Sequence, residues 1–181
     1  MTALCKAVGA EQRQEAAQKA AELLRTKQWY QHAADVFSYA SLPDEADTAP
    51  VNQAVLRDGK RLALPRLIRG AEAEMEFRFV DENTRLVPSA FNFLEPPADA
   101  GSAPFITGNL LVIVPGRAFT KNGTRLGRGK GFYDRWLSRI QAAFLLSDYS
   151  LTLAGYCYDF QIIRDIPQER HDIMMDYILT A

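Results

Sequence analysis

The chain is short of the residues that build covalent, thiolate or imidazole chemistry. Its 181 residues include two cysteines, Cys5 and Cys157, and two histidines, His32 and His171. No CxxC pair occurs, which argues against a disulfide framework or a thiolate zinc site. The histidines lie far apart and lack a Ser or Cys partner motif, so a hydrolase triad is not expected. Long apolar runs are missing too. Stretches such as Leu110 to Pro115 fall far short of the ~20 residues a membrane helix needs. Met1 to Ala10 is mildly apolar, contains Lys6, and is followed at once by Arg13 and Glu15, so it lacks a signal-peptide core. Nor is there an excess of one charge: 21 Lys+Arg against 22 Asp+Glu leave a net charge of −1. Nucleic acid and anionic membrane are therefore not expected as partners, and a reducing, cytoplasmic setting is.

What remains is ordinary for a globular domain. Hydrophobic residues make up 48% and charged residues 24%, which excludes disorder and collagen-like repeats. A chain of this length buries most of its apolar surface in one unit, so residues 1–181 are read as a single domain.

Helix and strand signals alternate along it. Ala10 to Lys27 is rich in good helix formers, and Ala16, Ala20, Leu23, Leu24 and Lys27 follow a 3,4 spacing that predicts one packing face. Asp35 to Ala40 reads as a short buried strand. Thr48 is placed to cap a helix with Pro50 in its first turn, ended by Gly59. Arg61 to Leu67 reads as a strand, and Met75, Phe77 and Phe79 alternate with polar residues as a half-buried strand does. Asn83 to Gly108 is rich in Pro, Gly, Asn, Asp and Ser and predicts a long surface connection. Leu110 to Val114 is an apolar strand, Tyr133 to Phe144 a helix, and Leu151 to Cys157 and Asp176 to Leu179 are two further strands. Trp29, Trp136 and the Phe91/Phe93 pair are expected in the core rather than as stacking platforms. Strands separated by helices predict an α/β fold of three layers: a mostly parallel, Rossmann-like sheet with helices on both faces.

The most informative segment is Arg117 to Arg139, which carries seven basic residues and one acid. That is +6 on a chain of net −1, so the remainder carries −7. Within it Gly127, Gly129 and Gly131 alternate with Arg128 and Lys130. Glycine lets backbone approach a ligand closely and present consecutive N–H groups to an anion. A helix N-terminus follows directly. The pattern is neither a Walker sequence nor GxGxxG, and its plain alternative is a strand-to-helix turn on a solvated basic surface. Its position after a buried strand, at the carboxyl edge of the sheet, favours a ligand site.

RLGRGKGFYD, preceded by VPGRAFTKNG, resembles the motif of the 5-formyltetrahydrofolate cyclo-ligase family. SLPDEADT (Ser41 to Thr48), LPRL (Leu64 to Leu67), FLEP (Phe93 to Pro96), YDFQI (Tyr158 to Ile162) and IPQERHD (Ile166 to Asp172) resemble further family segments in the family's order. The resemblance spans Ala10 to Thr180. It implies an enzyme that uses ATP and magnesium to close 5-formyltetrahydrofolate into 5,10-methenyltetrahydrofolate. It also implies small-molecule substrates; a monomer is expected. By resemblance Arg125, Leu126, Gly127, Arg128, Gly129, Lys130, Gly131, Phe132 and Tyr133 line the ATP phosphates. Lys130 would contact the transferred phosphoryl group, supported by Arg125 and Arg128. Ala40, Glu45 and Arg128 to Phe132 would border the folate, and Asp134 and Asp172 would hold magnesium.

Each assignment has a structural alternative. Asp134 also reads as a first-turn helix acid, Asp172 as a turn cap beside His171, and Glu45 as part of a solvated acidic turn. The sequence departs from the family as well. The Lys and Arg found four residues apart on the family's first helix have no counterpart, since Lys6 and Arg13 do not reproduce the spacing. Phe132 stands where Tyr is commoner, and Asn109 where Asp usually precedes the fourth strand. The missing pair motivates an alternative, a non-catalytic protein that binds folate or nucleotide. A nucleic-acid-binding domain built on the +6 segment is disfavoured by the acidic remainder and the lack of a known binding module.

Overall fold

The computed structural model describes residues 1–181 apart from 69–73, 90–92, 105–106 and 170–171. Phe91 and His171 therefore lie outside the described residues. In chain order the elements are α1 (Thr2–Ala7), α2 (Ala10–Arg25), α3 (Gln28–His32), β1 (Asp35–Phe37), α4 (Ala49–Arg57), β2 (Arg61–Leu67) and β3 (Met75–Val80). There follow β4 (Val87–Pro88), β5 (Leu94–Glu95), β6 (Leu110–Pro115), β7 (Ala118–Phe119), β8 (Arg125–Leu126), α5 (Phe132–Phe144), β9 (Leu151–Cys157), a 3-10 turn at Asp159–Gln161, and β10 (Tyr177–Thr180).

Six strands form one sheet in the order β10-β9-β6-β1-β2-β3. Every pairing is parallel except β2 with β3. A parallel return needs a crossover of a dozen or more residues, and the link from Leu67 to Met75 is too short for one. This is the α/β, mostly parallel sheet that the helix–strand alternation predicts. No helix among the described residues is long and apolar enough to cross a membrane.

Each central strand serves two cores. In β6, Leu111 and Ile113 face α2, α3 and α4 with Val36, Leu62, Ala154 and Tyr156. Leu110, Val112 and Val114 face α5, where Trp136, Leu137, Ile140 and Phe144 pack with Phe37, Phe77 and Leu153. Strands buried on both faces read as continuous apolar runs, as LLVIVP does. Trp136 is core, its ring tilted against those of Phe37 and Phe77 at 6.0 and 4.4 Å between centroids. Trp29 is only half-buried and stacks on Tyr177 at 5.1 Å.

Three expectations need correction. The buried face of α2 is Ala17, Ala20, Ala21 and Leu24, while Leu23 is exposed. Neighbouring 3,4 stripes fit this Ala-rich helix, and α4 packs closely against the one made mostly of alanines. Thr48 sits at the N-terminus of α4 but does not cap it. Its hydroxyl donates to the Tyr39 carbonyl at 2.7 Å, and Asp47 accepts from the Ala49 N–H at 2.9 Å instead. The connection from Asn83 to Gly108 is not all surface: it contains the β4–β5 hairpin, and Glu95 is 5% exposed.

Sheet order positions the site. The chain leaves β1 toward β2 on one side and reaches β6 on the other, which makes a switch point. In open α/β sheets the crevice beyond the carboxyl ends of such strands binds ligands.

Candidate active site

A cavity of about 350 Å³ opens at that switch point. Tyr39 and Ala40, just past β1, border it, with Leu42 and Glu45 from the acidic turn that follows. Pro65 and Leu67 of β2, Met75 of β3, Phe93 and Leu94 supply an apolar wall. The facing wall is Pro115, Gly116, Arg125 and Gly127 to Asp134. Of the residues the sequence nominates, the structure brings together Ala40, Glu45, Arg125, Gly127, Arg128, Gly129, Lys130, Gly131, Phe132, Tyr133 and Asp134. Leu126 is exposed and outside this lining; Asp172, half-buried, also lies outside it.

The glycine loop is aimed by a small hairpin. Ala118 pairs with Leu126 and Phe119 with Arg125, and the Arg117 N–H donates to the Leu126 carbonyl at 2.7 Å. Past this clip the chain enters the left-handed region at Gly129 (φ 75°) and Gly131 (φ 67°), the latter capping α5. A side chain would be strained at either position. Arg135, one turn into α5, donates to the Lys130 carbonyl at 2.7 Å and holds the loop against the helix start. The Lys130 ammonium is exposed and has no ion-pair partner among the described residues.

The other cations are engaged. Arg125, 6% exposed, pairs with Asp134, donates to the Pro115 carbonyl at 3.3 Å and lies 5.8 Å from the Tyr133 ring. Arg128 reaches back to the acidic turn, 2.7 Å from Asp44 and 3.0 Å from Glu45. That hydrogen bond, against partial burial, holds the Asp44 carboxyl below its ordinary range. The second Glu45 oxygen accepts from the Leu42 N–H at 2.9 Å. Arg13 of α2 fixes the same turn, donating to the carbonyls of Pro43 and Glu45, each at 2.9 Å. The sequence gives no spacing signal for this role, because the partners are backbone oxygens thirty residues away.

Tyr39 and Phe93 also join the site without having been nominated. The Tyr39 and Tyr133 hydroxyls and the Arg125 Nε are buried with no hydrogen-bond partner among the described residues. Burial pushes both phenols well above their usual pKa, so they stay neutral. Buried polar groups without partners are rare in native proteins, and at the wall of a cavity a bound ligand or water can complete them. Neither cysteine competes as a nucleophile: both are buried, and burial pushes the Cys157 thiol up to about 12.

For a metal, Asp134 is the carboxylate at hand, with its side chain 30% exposed at the cavity. Asp172 is held in a turn, accepting from the Glu169 N–H at 2.7 Å. Among the described residues no three His, Cys, Asp or Glu side chains are grouped to hold a metal ion. Magnesium commonly takes only one or two carboxylates, with phosphate oxygens and water completing its shell, so one carboxylate beside an anion cradle fits that chemistry.

The 5-formyltetrahydrofolate cyclo-ligase family model matches residues 1–181. The 5-formyltetrahydrofolate cyclo-ligase of Escherichia coli K12 is 31% identical over 175 residues, 97% of this chain and 93% of that one. The enzyme of that name from Mus musculus is 31% identical over 154 residues, 83% of this chain and 74% of its own. The solved 5,10-methenyltetrahydrofolate synthetase of Aquifex aeolicus superposes with a TM-score of 0.79 at 27% identity, covering 99% of this chain and 84% of that one. The synthetase of that name from Mycoplasma pneumoniae, at 19% identity and a TM-score of 0.64, shares the fold. With a match running from the first residue to the last, this chain belongs to the 5-formyltetrahydrofolate cyclo-ligase family.

Proposed function

We propose that this protein couples ATP cleavage to closure of 5-formyltetrahydrofolate into 5,10-methenyltetrahydrofolate, releasing ADP and phosphate. The observation that carries the reading is one cavity with two chemistries. An apolar wall for a flat ring system faces a glycine loop with a free ammonium and a helix N-terminus for phosphate.

A formyl amide is a poor electrophile, and its oxygen is a poor leaving group. Transfer of the γ-phosphoryl group to that oxygen gives an iminium phosphate and ADP; the neighbouring folate nitrogen then attacks the carbon, gives up its proton to solvent, and phosphate departs. No protein nucleophile is needed, only alignment of two substrates and stabilisation of phosphoryl charge. Lys130 contacts the transferred group, and Arg125, held rigid by Asp134 and Pro115, supports it with a fixed charge. The loop from Arg125 to Tyr133 lines the phosphates, and Arg128 to Phe132 lie where the substrates meet. Glu45, with Ala40 beside it, accepts from pterin N–H groups. Asp134 holds magnesium, and Asp172 is the second carboxylate proposed for it. When bound, magnesium offsets phosphate charge and fixes the phosphate geometry. The protein is read as a monomer acting on small molecules.

Growth of methenyl-product absorbance from purified protein, 5-formyltetrahydrofolate, ATP and magnesium tests this. No growth from protein that still binds folate or nucleotide would assign it to non-catalytic binding.

A further inference from the structure

Two segments that carry the family resemblance, Leu64 to Leu67 and Phe93 to Pro96, have no chemical role in the scheme above. The structure joins them. The first is the second half of β2, and the second contains β5. Arg66 lies 3.1 Å from a Glu95 carboxylate oxygen, with the two side chains 13% and 7% exposed. The other oxygen accepts from the Leu67 N–H at 3.1 Å, and Arg66 also donates to the Pro96 carbonyl. Among the described residues this is the ion pair linking the hairpin to the main sheet.

Buried ion pairs are poor stabilisers, because desolvation offsets their attraction. Their better-attested use is to fix one arrangement among several. The residues flanking this pair show which arrangement is fixed. Pro65 and Leu67 on β2, and Phe93 and Leu94 beside Glu95, all line the cavity. The hairpin strands are two residues each and Leu94 is 50% exposed, so ladder and packing hold it weakly.

We propose that Arg66 and Glu95 are a positioning pair for the folate: their clasp sets Phe93 and Leu94 against the apolar half of the cavity. This rests on the cyclo-ligase reading. Arg125 and Lys130 belong to the facing wall, built by β8 and the loop before α5. Loosening the clasp weakens the grip on the folate ring system and leaves the phosphate side as it was.

The test is the KM for 5-formyltetrahydrofolate and for ATP, with kcat and Tm, in Glu95→Gln, Glu95→Ala and Arg66→Lys. Glu95→Gln keeps an acceptor for the Leu67 N–H and loses the charge; Glu95→Ala loses both. The folate KM should rise in that order, by about tenfold for Glu95→Ala, a scale reached when supporting groups shift a substrate. The ATP KM and kcat should stay close to wild type. If Glu95→Ala fails to fold, the other two variants decide. An unchanged folate KM in folded variants, or equal rises in both KM values, overturns the proposal. A wild type that binds folate without turning over refutes the cyclisation, and titration of folate into the same variants then tests the clasp. A wild type that binds no folate overturns both.

Discussion

Lys130 stands apart from its neighbours: among the described residues its ammonium has no partner. Arg125, Arg128 and Arg135 each hold a carboxylate or a carbonyl, whereas the Lys130 ammonium is exposed to solvent. Lys130→Ala should therefore cost little in folding. Turnover should fall on the order of a hundredfold, the usual loss when one electrostatic contact to developing charge is removed. Lys130→Arg should restore only part of it, since a planar fork does not replace a compact ammonium. Paired measurements of kcat and Tm check this, and near-normal turnover in folded Lys130→Ala removes the residue from the site. The carboxylates make a second comparison. Asp134→Asn keeps size but loses charge, so it should raise the magnesium needed for half-maximal activity. Asp172→Asn should do the same if the C-terminal turn contributes a metal ligand. A magnesium titration of both variants separates them; unchanged curves would reduce Asp134 to a partner of Arg125, and Asp172 to a turn acid.

At the level of elements, the acidic turn and the glycine loop are tied by one guanidinium. The Asp44 carboxyl sits below its ordinary value of 3.8, with the Arg128 hydrogen bond as the largest cause and partial burial opposing. A depressed acid stabilises the fold fully above the unfolded value and loses that contribution as pH falls through the lower folded one. The tie should hold unchanged at neutral pH and fail only under strong acid. Denaturant melts of wild type and Asp44→Asn should draw together as pH falls below 3.8; parallel curves would mean the tie adds nothing. These elements also show how far the sequence could be read. β2 and β9 lie where pattern places them, because each begins directly after a polar, turn-forming stretch, Asp58-Gly59-Lys60 and Asp148-Tyr149-Ser150. The loop's proximity to Glu45 followed only from family resemblance, since pattern carries no information on contacts 83 residues apart. Arg13, Tyr39 and the Arg66–Glu95 clasp stayed hidden for the same reason. The burial of Glu95 overrode the polar composition of its loop, and Thr48 was drawn from its cap by a nearer carbonyl.

Across the whole molecule, two cores press on one sheet, and β6 at its centre is apolar on both sides. Such a strand cannot tell its faces apart: sliding by one residue would exchange one set of leucines and valines for another. Its frame has to be set by polar residues at its ends. Asn109, where the family usually has Asp, is that marker. Its amide nitrogen donates to the His32 carbonyl at 3.3 Å, and its side-chain oxygen accepts from the Ser150 N–H at 3.0 Å. Its carbonyl accepts from Ala34 at 2.8 Å. One side chain thus indexes the starts of β1, β6 and β9 against each other. Asn109→Asp keeps the acceptor and loses the donor, while Asn109→Ala loses both, at a cost of about 1 kcal/mol. The larger change should appear in hydrogen exchange, as faster exchange along β6 while α5 keeps its protection. Uniform protection in Asn109→Ala would mean the frame is stored elsewhere. β6, whose last residue, Pro115, lines the cavity, would then have kept its phase, and the cavity its shape, without Asn109 to mark its beginning.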